Sequence, residues 1–158
     1  MNLPAQYSAK RSTLGFDDIN CGYGGIRLFP LEELAADQAT YSLDAGYIVV
    51  GIETACGDPI FVSEMAPHAV FTAIHGEGSW TPTPVAPSID AFWNCLEAFR
   101  EFSKNRDSPA AMEGNPPDEE EIDEFLTAVK GFCDGDEDAA YFWALATEIE
   151  PVDDYEED

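Results

Sequence analysis

Apolar residues fall in short clustered runs through the first half of the chain and at helical spacing afterwards. Ile26 to Pro30 reads as a short strand. Pro30-Leu31-Glu32-Glu33-Leu34 then opens a brief helix, because proline is tolerated in a first turn and acids there suit the helix dipole. Tyr47 to Glu53 (YIVVGIE) is β-branched and aromatic, Cys56-Gly57-Asp58-Pro59 is a turn, IFVSE follows, and Ala69 to Gly76 (AVFTAIHG) completes a third apolar run. Connections of turn length suit hairpins and leave no room for the crossover helices of a parallel sheet, so an antiparallel meander is expected.

From Ser88 the period changes. Ser88 is a plausible N-cap for a helix with Ile89, Phe92, Trp93, Leu96, Phe99 and Phe102 on one stripe, the spacing of a helix packed on a sheet. Asp118 caps a second helix carrying Ile122, Phe125, Leu126 and Val129, and a third runs from about Asp138 to Ile149 through Tyr141, Phe142, Trp143 and Leu145. The pattern as a whole predicts an α+β protein: an antiparallel sheet backed by helices, followed by a C-terminal αα-hairpin with acidic outer faces.

Charge adds the next constraint. The chain has 158 residues, with 32 Asp or Glu against 7 Lys or Arg, a net charge of -25. Nucleic-acid binding draws on cations that neutralise phosphates, so nucleic acid and anionic lipid are both disfavoured and a basic partner is favoured. At 45% hydrophobic, with 10 Phe, 6 Tyr and 3 Trp, the chain is nevertheless rich enough in core residues to fold. The charge is uneven: residues 1–106 carry 13 acids and 6 bases, residues 107–158 carry 19 acids and 1 base. The intervening NRDSPAAMEGNPPDEEE is rich in Pro, Gly, Asn and Ser, which predicts a boundary between a 1–106 α+β domain and a 107–158 acidic helical extension ending in VDDYEED. The opening MNLPAQYSAKRST has no apolar stretch of signal-peptide length and nothing approaches a membrane span, so a cytoplasmic protein is expected.

Candidate chemistry changes little. Cys21, Cys56, Cys95 and Cys133 form no CxxC pair and read as reduced thiols, mostly buried. Asp134-Gly135-Asp136-Glu137-Asp138 begins like a calcium loop, but Ala139 and Leu145 stand where glycine and a bidentate Glu are required, so a turn with a helix-capping acid is expected. Gly22-Tyr23-Gly24-Gly25 and Gly76-Glu77-Gly78 fit no phosphate-binding spacing and read as turns. His68 and His75 straddle a predicted strand at odd spacing, on opposite faces, which argues against a shared metal. No nucleophile-and-base motif is present, so no catalytic residue, metal or cofactor is assigned.

Five segments in order carry a resemblance: Ile26-Arg27-Leu28-Phe29-Pro30-Leu31-Glu32-Glu33-Leu34; Tyr47-Ile48-Val49-Val50-Gly51; Cys56-Gly57-Asp58-Pro59-Ile60-Phe61-Val62; Ala69-Val70-Phe71-Thr72-Ala73-Ile74-His75-Gly76; and Ser88-Ile89-Asp90-Ala91-Phe92. Over residues 22–105 the chain resembles the SUKH superfamily, which includes fungal cell-wall synthesis regulators and many bacterial immunity proteins that neutralise toxins. It departs at the start, where the family has a longer amphipathic helix and Leu3-Pro4-Ala5-Gln6-Tyr7 is followed by little helical pattern. The resemblance implies a protein-binding scaffold without chemistry of its own, in which Gly51, Gly57, Asp58, Pro59, Phe61 and Phe92 are structural motif residues.

The acidic charge agrees, because nuclease toxins are basic and an acidic inhibitor can accelerate encounter and cover a phosphate-binding groove. The expected partner-binding residues are Trp80, in the loop GEGSWTPTP, with Glu77, Asp58 and Glu53 as an acidic rim. A regulatory or scaffold adaptor of the same fold is the alternative, and a hydrolase or metal-dependent enzyme without a readable motif stands behind both.

Overall fold

Among the described residues six strands form one antiparallel sheet in chain order, from β1 (Asp18–Cys21) through β2 (Gly24–Leu28), β3 (Tyr47–Glu53), β4 (Asp58–Ser63) and β5 (Val70–Thr72) to β6 (Thr83–Ala86). The computed structural model describes residues 2–41, 45–74 and 81–147. The helices are α1 (Ala5–Ser12), α2 (Leu34–Gln38, after one 3-10 turn at Leu31–Glu33), α3 (Ile89–Ser103), α4 (Pro109–Gly114), α5 (Glu119–Phe132) and α6 (Glu137–Ala146). The chain is therefore the expected α+β protein with a meander sheet.

Side chains alternate across the sheet, as a pleated strand requires. Ile48 and Val50 of β3, with Ile60 and Val62 of β4, face the main core beneath α3 and α6. Val49 and Phe61 face the other way into a smaller cluster flanked by Phe29, Tyr41, Tyr47 and Phe71. There the Tyr47, Phe61 and Phe71 rings stand across neighbouring strands with centroids 5.1 to 6.1 Å apart. Gly51 allows β2 and β3 to close on each other: a Cβ there would lie 2.3 Å from the Arg27 carbonyl oxygen. Where β2 ends, the Gln38 side chain takes its place, donating to the Val49 carbonyl and accepting from the Val49 N–H, both at 2.8 Å.

A helix forms at the N-terminus where the sequence shows little helical pattern. Only Tyr7 and Arg11 of α1 are buried, so its inner stripe is one aromatic ring and one arginine stem and registers weakly as an apolar period. Tyr7 meets the Trp93 ring edge-on at 5.4 Å. Arg11 pairs with Asp17 and donates to the carbonyls of Phe29 and Leu28 at 3.2 and 3.1 Å. Strands β1 and β6 are likewise additions to the expected set; both are short edge strands, and β6 contains Pro84.

The later helices start where capping chemistry places them. Ser88 accepts from the Ala91 N–H at 3.1 Å, and Asp118 and Glu121 form a reciprocal capping box. Asp136 caps α6, accepting from the Asp138 and Ala139 N–H groups, and Asp134 and Gly135 turn the chain with φ of +57° and +79°.

No break in packing marks the expected boundary near residue 106. Val129, Cys133, Phe142 and Trp143 belong to the same buried cluster as Ile26, Ile60 and Val85. A bulge in the β5–β6 pairing leaves Val85 as the extra residue between Pro84 and Ala86. Its carbonyl accepts from the Trp143 indole N–H at 3.0 Å and from the Cys133 thiol at 3.5 Å. Arg106 ties the connection itself, donating to the Phe102 and Asn115 carbonyls at 2.9 and 2.8 Å and to Glu121 at 2.9 Å.

Two expectations follow. A chain ending at residue 106 should unfold without a cooperative transition, because it loses Trp143 and Val129 from the core; a sharp thermal transition close to that of the full chain would show that the first 106 residues suffice. Tyr7→Phe should stabilise the protein by about 1 kcal/mol, since the Tyr7 hydroxyl is buried without a hydrogen-bond partner among the described residues. Urea titration measures it, and a loss of stability would reveal a partner for that hydroxyl.

Candidate protein-binding surface

Three segments converge at one end of the sheet: the β1–β2 turn, the β3–β4 turn and the last turn of α6. A Cβ built at Gly24 would lie 3.1 Å from the Ala146 carbonyl oxygen and 3.6 Å from the Ala55 Cβ. The Thr54 N–H donates to the Gly25 carbonyl at 3.0 Å, and the Cys21 thiol points to the Thr147 carbonyl at 3.9 Å.

Apolar side chains reach solvent on two of these segments. Tyr23, between Gly22 and Gly24, is 75% exposed. On α6, Tyr141 and Leu145 are 54% and 45% exposed and lie four residues apart, on one stripe with Glu137. The opposite side of the same helix buries Phe142, Trp143 and Ala146. A helix apolar on both sides leaves one of them uncovered, and aromatic and aliphatic anchors near an acidic surround are the composition of an interface centre.

Of the residues expected to bind a partner, Trp80 and Glu77 lie outside the described residues. Glu53 ends β3 and is only 6% exposed; its carboxylate accepts from the Ala55 N–H at 2.7 Å and the Cys56 N–H at 3.0 Å, so it builds the turn from within. Gly57 has φ +79°, which a glycine adopts readily, and Asp58, half-buried, begins β4 beside it. Pro59 pairs with Ile52 in the sheet, while Phe61 and Phe92 are completely buried, one in each hydrophobic cluster.

Ligand atoms of Glu53, Cys56 and Asp58 lie within 4.8 Å of one another. Their chemistry suits a metal poorly. Glu53 already accepts two backbone N–H groups, and local burial, then the neighbouring Glu53 and Asp58 carboxylates, push the Cys56 thiol above its ordinary range, away from the thiolate a metal needs. His68 sits in the turn before β5 with φ +62°, its Nδ1 3.1 Å from the Ser63 carbonyl; His75 lies outside the described residues.

The described concavities lie between the segment after α1, strand β1 and α3. Two adjoining hollows of about 280 and 260 Å³ share Phe16, Ile19 and Arg100, whose guanidinium lies 4.5 Å from the centre of the Phe16 ring. Lys10 and Lys104 at their edges are paired with Asp90 and Glu101, and Asp18, Glu97 and Asp107 also line them, so the positive charge is cancelled locally. Their lining contains no histidine or cysteine, and the Ser103 hydroxyl donates back to the Phe99 carbonyl at 2.7 Å. The hollows bring together no nucleophile and base.

Sequence reasoning missed the exposed trio of Tyr23, Tyr141 and Leu145. The available signals were an aromatic set among turn glycines and a helix, DAAYFWALA, with more apolar positions than one buried face can take. Comparison with protein-family models, curated proteins and solved structures found no match to this chain.

If the α6 stripe is surface, Tyr141→Ser together with Leu145→Ser should leave thermal stability within about 1 kcal/mol of the parent, aside from the small helix-propensity cost. Calorimetry measures it; a loss several times larger would place both side chains in the core.

Proposed function

We propose that this chain is a non-catalytic protein-binding module for a basic partner, acting as an immunity-type inhibitor of a basic, nuclease-like toxin. The observation that carries the reading is the disposition of the cations. Six of the seven Lys and Arg side chains are held in intramolecular ion pairs: Lys10–Asp90, Arg11–Asp17, Arg27–Asp18, Lys104–Glu101, Arg106–Glu121 and Lys130–Glu137. The seventh, Arg100, lies over Phe16. Acids outnumber these cations 32 to 7, and Glu119, Glu120, Asp123 and Glu124 of α5 are exposed together. A surface of this kind attracts a cationic partner over a distance and repels polyanions.

The binding face is the sheet end bearing Tyr23, Tyr141 and Leu145, which supply apolar anchors next to the acidic helices. The SUKH resemblance points the same way, and through its cell-wall synthesis regulators it also supports a second reading, a regulatory adaptor of the same fold. A cytoplasmic location and the absence of a cofactor belong to both readings.

The test is affinity purification of the full chain from its own host at low and high salt, alongside the Tyr141→Ser/Leu145→Ser variant. A stoichiometric basic protein, retained at low salt, weakened as salt rises and lost with the variant, is the expected result, and inhibition of that protein's toxicity separates inhibitor from adaptor. A partner retained equally by the variant would move the interface elsewhere, and no salt-sensitive basic partner would overturn the reading.

A further inference from the structure

Cys95 and Cys133 are 38 residues apart in sequence, and their sulfurs lie 3.6 Å apart inside the main core. Their juxtaposition follows from helix packing rather than from the two side chains alone. Cys95 lies on the buried face of α3, between Phe92 and Phe99. Cys133 is fixed at the C-cap of α5, where its N–H bonds to the Val129 and Lys130 carbonyls and Gly135 closes the turn with a 2.8 Å bond to Lys130. About two turns away, Phe102 of α3 meets Phe125 of α5 with ring centroids 5.0 Å apart. Seven residues forward on α3 thus match eight residues back on α5, so the helices run antiparallel in one register and the cysteines face each other by that register.

We propose that Cys95 and Cys133 are a disulfide-forming pair, a covalent cross-link site that fastens the end of α5 to α3. The bond requires the sulfurs to approach to ~2.0 Å, a movement that side-chain rotation and a small helix shift can supply. The oxidant is a low-molecular-weight disulfide. The thiolate of one cysteine attacks one of its sulfurs and expels a thiolate, giving a mixed disulfide; the other cysteine, deprotonated, attacks the protein sulfur of that mixed disulfide and expels the second. The protein loses two protons and two electrons, and the oxidant leaves as two thiols.

One thiol donates to the other sulfur, and that bond together with burial holds the Cys95 thiol protonated. Both sulfurs are sealed from solvent, so the first attack awaits opening of the α5 end or occurs during folding. Cys56 is exposed but holds its proton more tightly than an ordinary thiol, first through local burial and then through Glu53 and Asp58, so it competes poorly. The cross-link closes a loop containing α4 and α5, which restricts the unfolded chain and pins the end of α5 to α3.

The full chain is refolded or incubated with glutathione disulfide, unreacted thiols are alkylated in denaturant, and peptides are mapped by mass spectrometry. The expected product links Cys95 to Cys133 and leaves Cys21 and Cys56 alkylated, with Tm raised by roughly 10 °C and restored to its starting value by reductant. A Cys56→Ser chain should behave identically, whereas Cys95→Ala should show no reductant-dependent Tm even if it is less stable. Full alkylation of Cys95 and Cys133 after both treatments, or a link to Cys21 or Cys56 instead, would overturn the proposal.

Discussion

The Val85 carbonyl joins the two halves of the molecule. A backbone oxygen in a regular ladder is committed to its neighbouring strand, but the bulge at Val85 interrupts the ladder and lets this one accept from Trp143 and Cys133. The Trp143 indole could not be buried at 0% exposure without a partner for its N–H, and the bulge supplies one. Around it, the Phe92 and Phe99 rings of α3 lie tilted with centroids 6.0 and 5.9 Å from that of Trp143, so α3, α6 and β6 meet around one polar contact inside an apolar core.

The rest of the chain is arranged so that its few cations serve the fold. Arg11 and Arg106, both about 5% exposed, bond to three and two backbone carbonyls respectively, and each adds a carboxylate from a neighbouring segment. Such a guanidinium satisfies backbone acceptors that would otherwise be buried unpaired, a task for which its planar fork of donors is suited. Acids outside these pairs include Glu119, Glu120, Asp123 and Glu124 on the outer face of α5 and Asp134 and Asp138 where α6 begins, which extend into water without weakening the core.

The β3–β4 hairpin, α3 and α5 were legible in the sequence because each has a clean period and a turn or cap at its boundary: Gly57 and Asp58, Ser88, Asp118. Helix α1 was not, because an arginine stem does half of its packing, and β6 was not, because Pro84 argues against a strand except at an edge. The apparent divide near residue 106 reflects charge, a property of outer faces; the inner faces of α5 and α6 join the same core. At the candidate site, composition showed that acids abound but could not distinguish Glu53, folded back onto its own backbone, from acids that face solvent. Nor could it tell which side of α6 would remain uncovered, since that is decided by the sheet beneath it.

Both margins of the sheet are poor templates for another chain. Strand β1 is four residues long with Asp18 and Asn20 turned outward, and β6 combines a proline with a bulge. Both edges are thereby blunted against pairing with a further strand. Blunted margins and an acidic exterior that makes copies repel one another let the chain reach high concentration without a route to β-polymerisation.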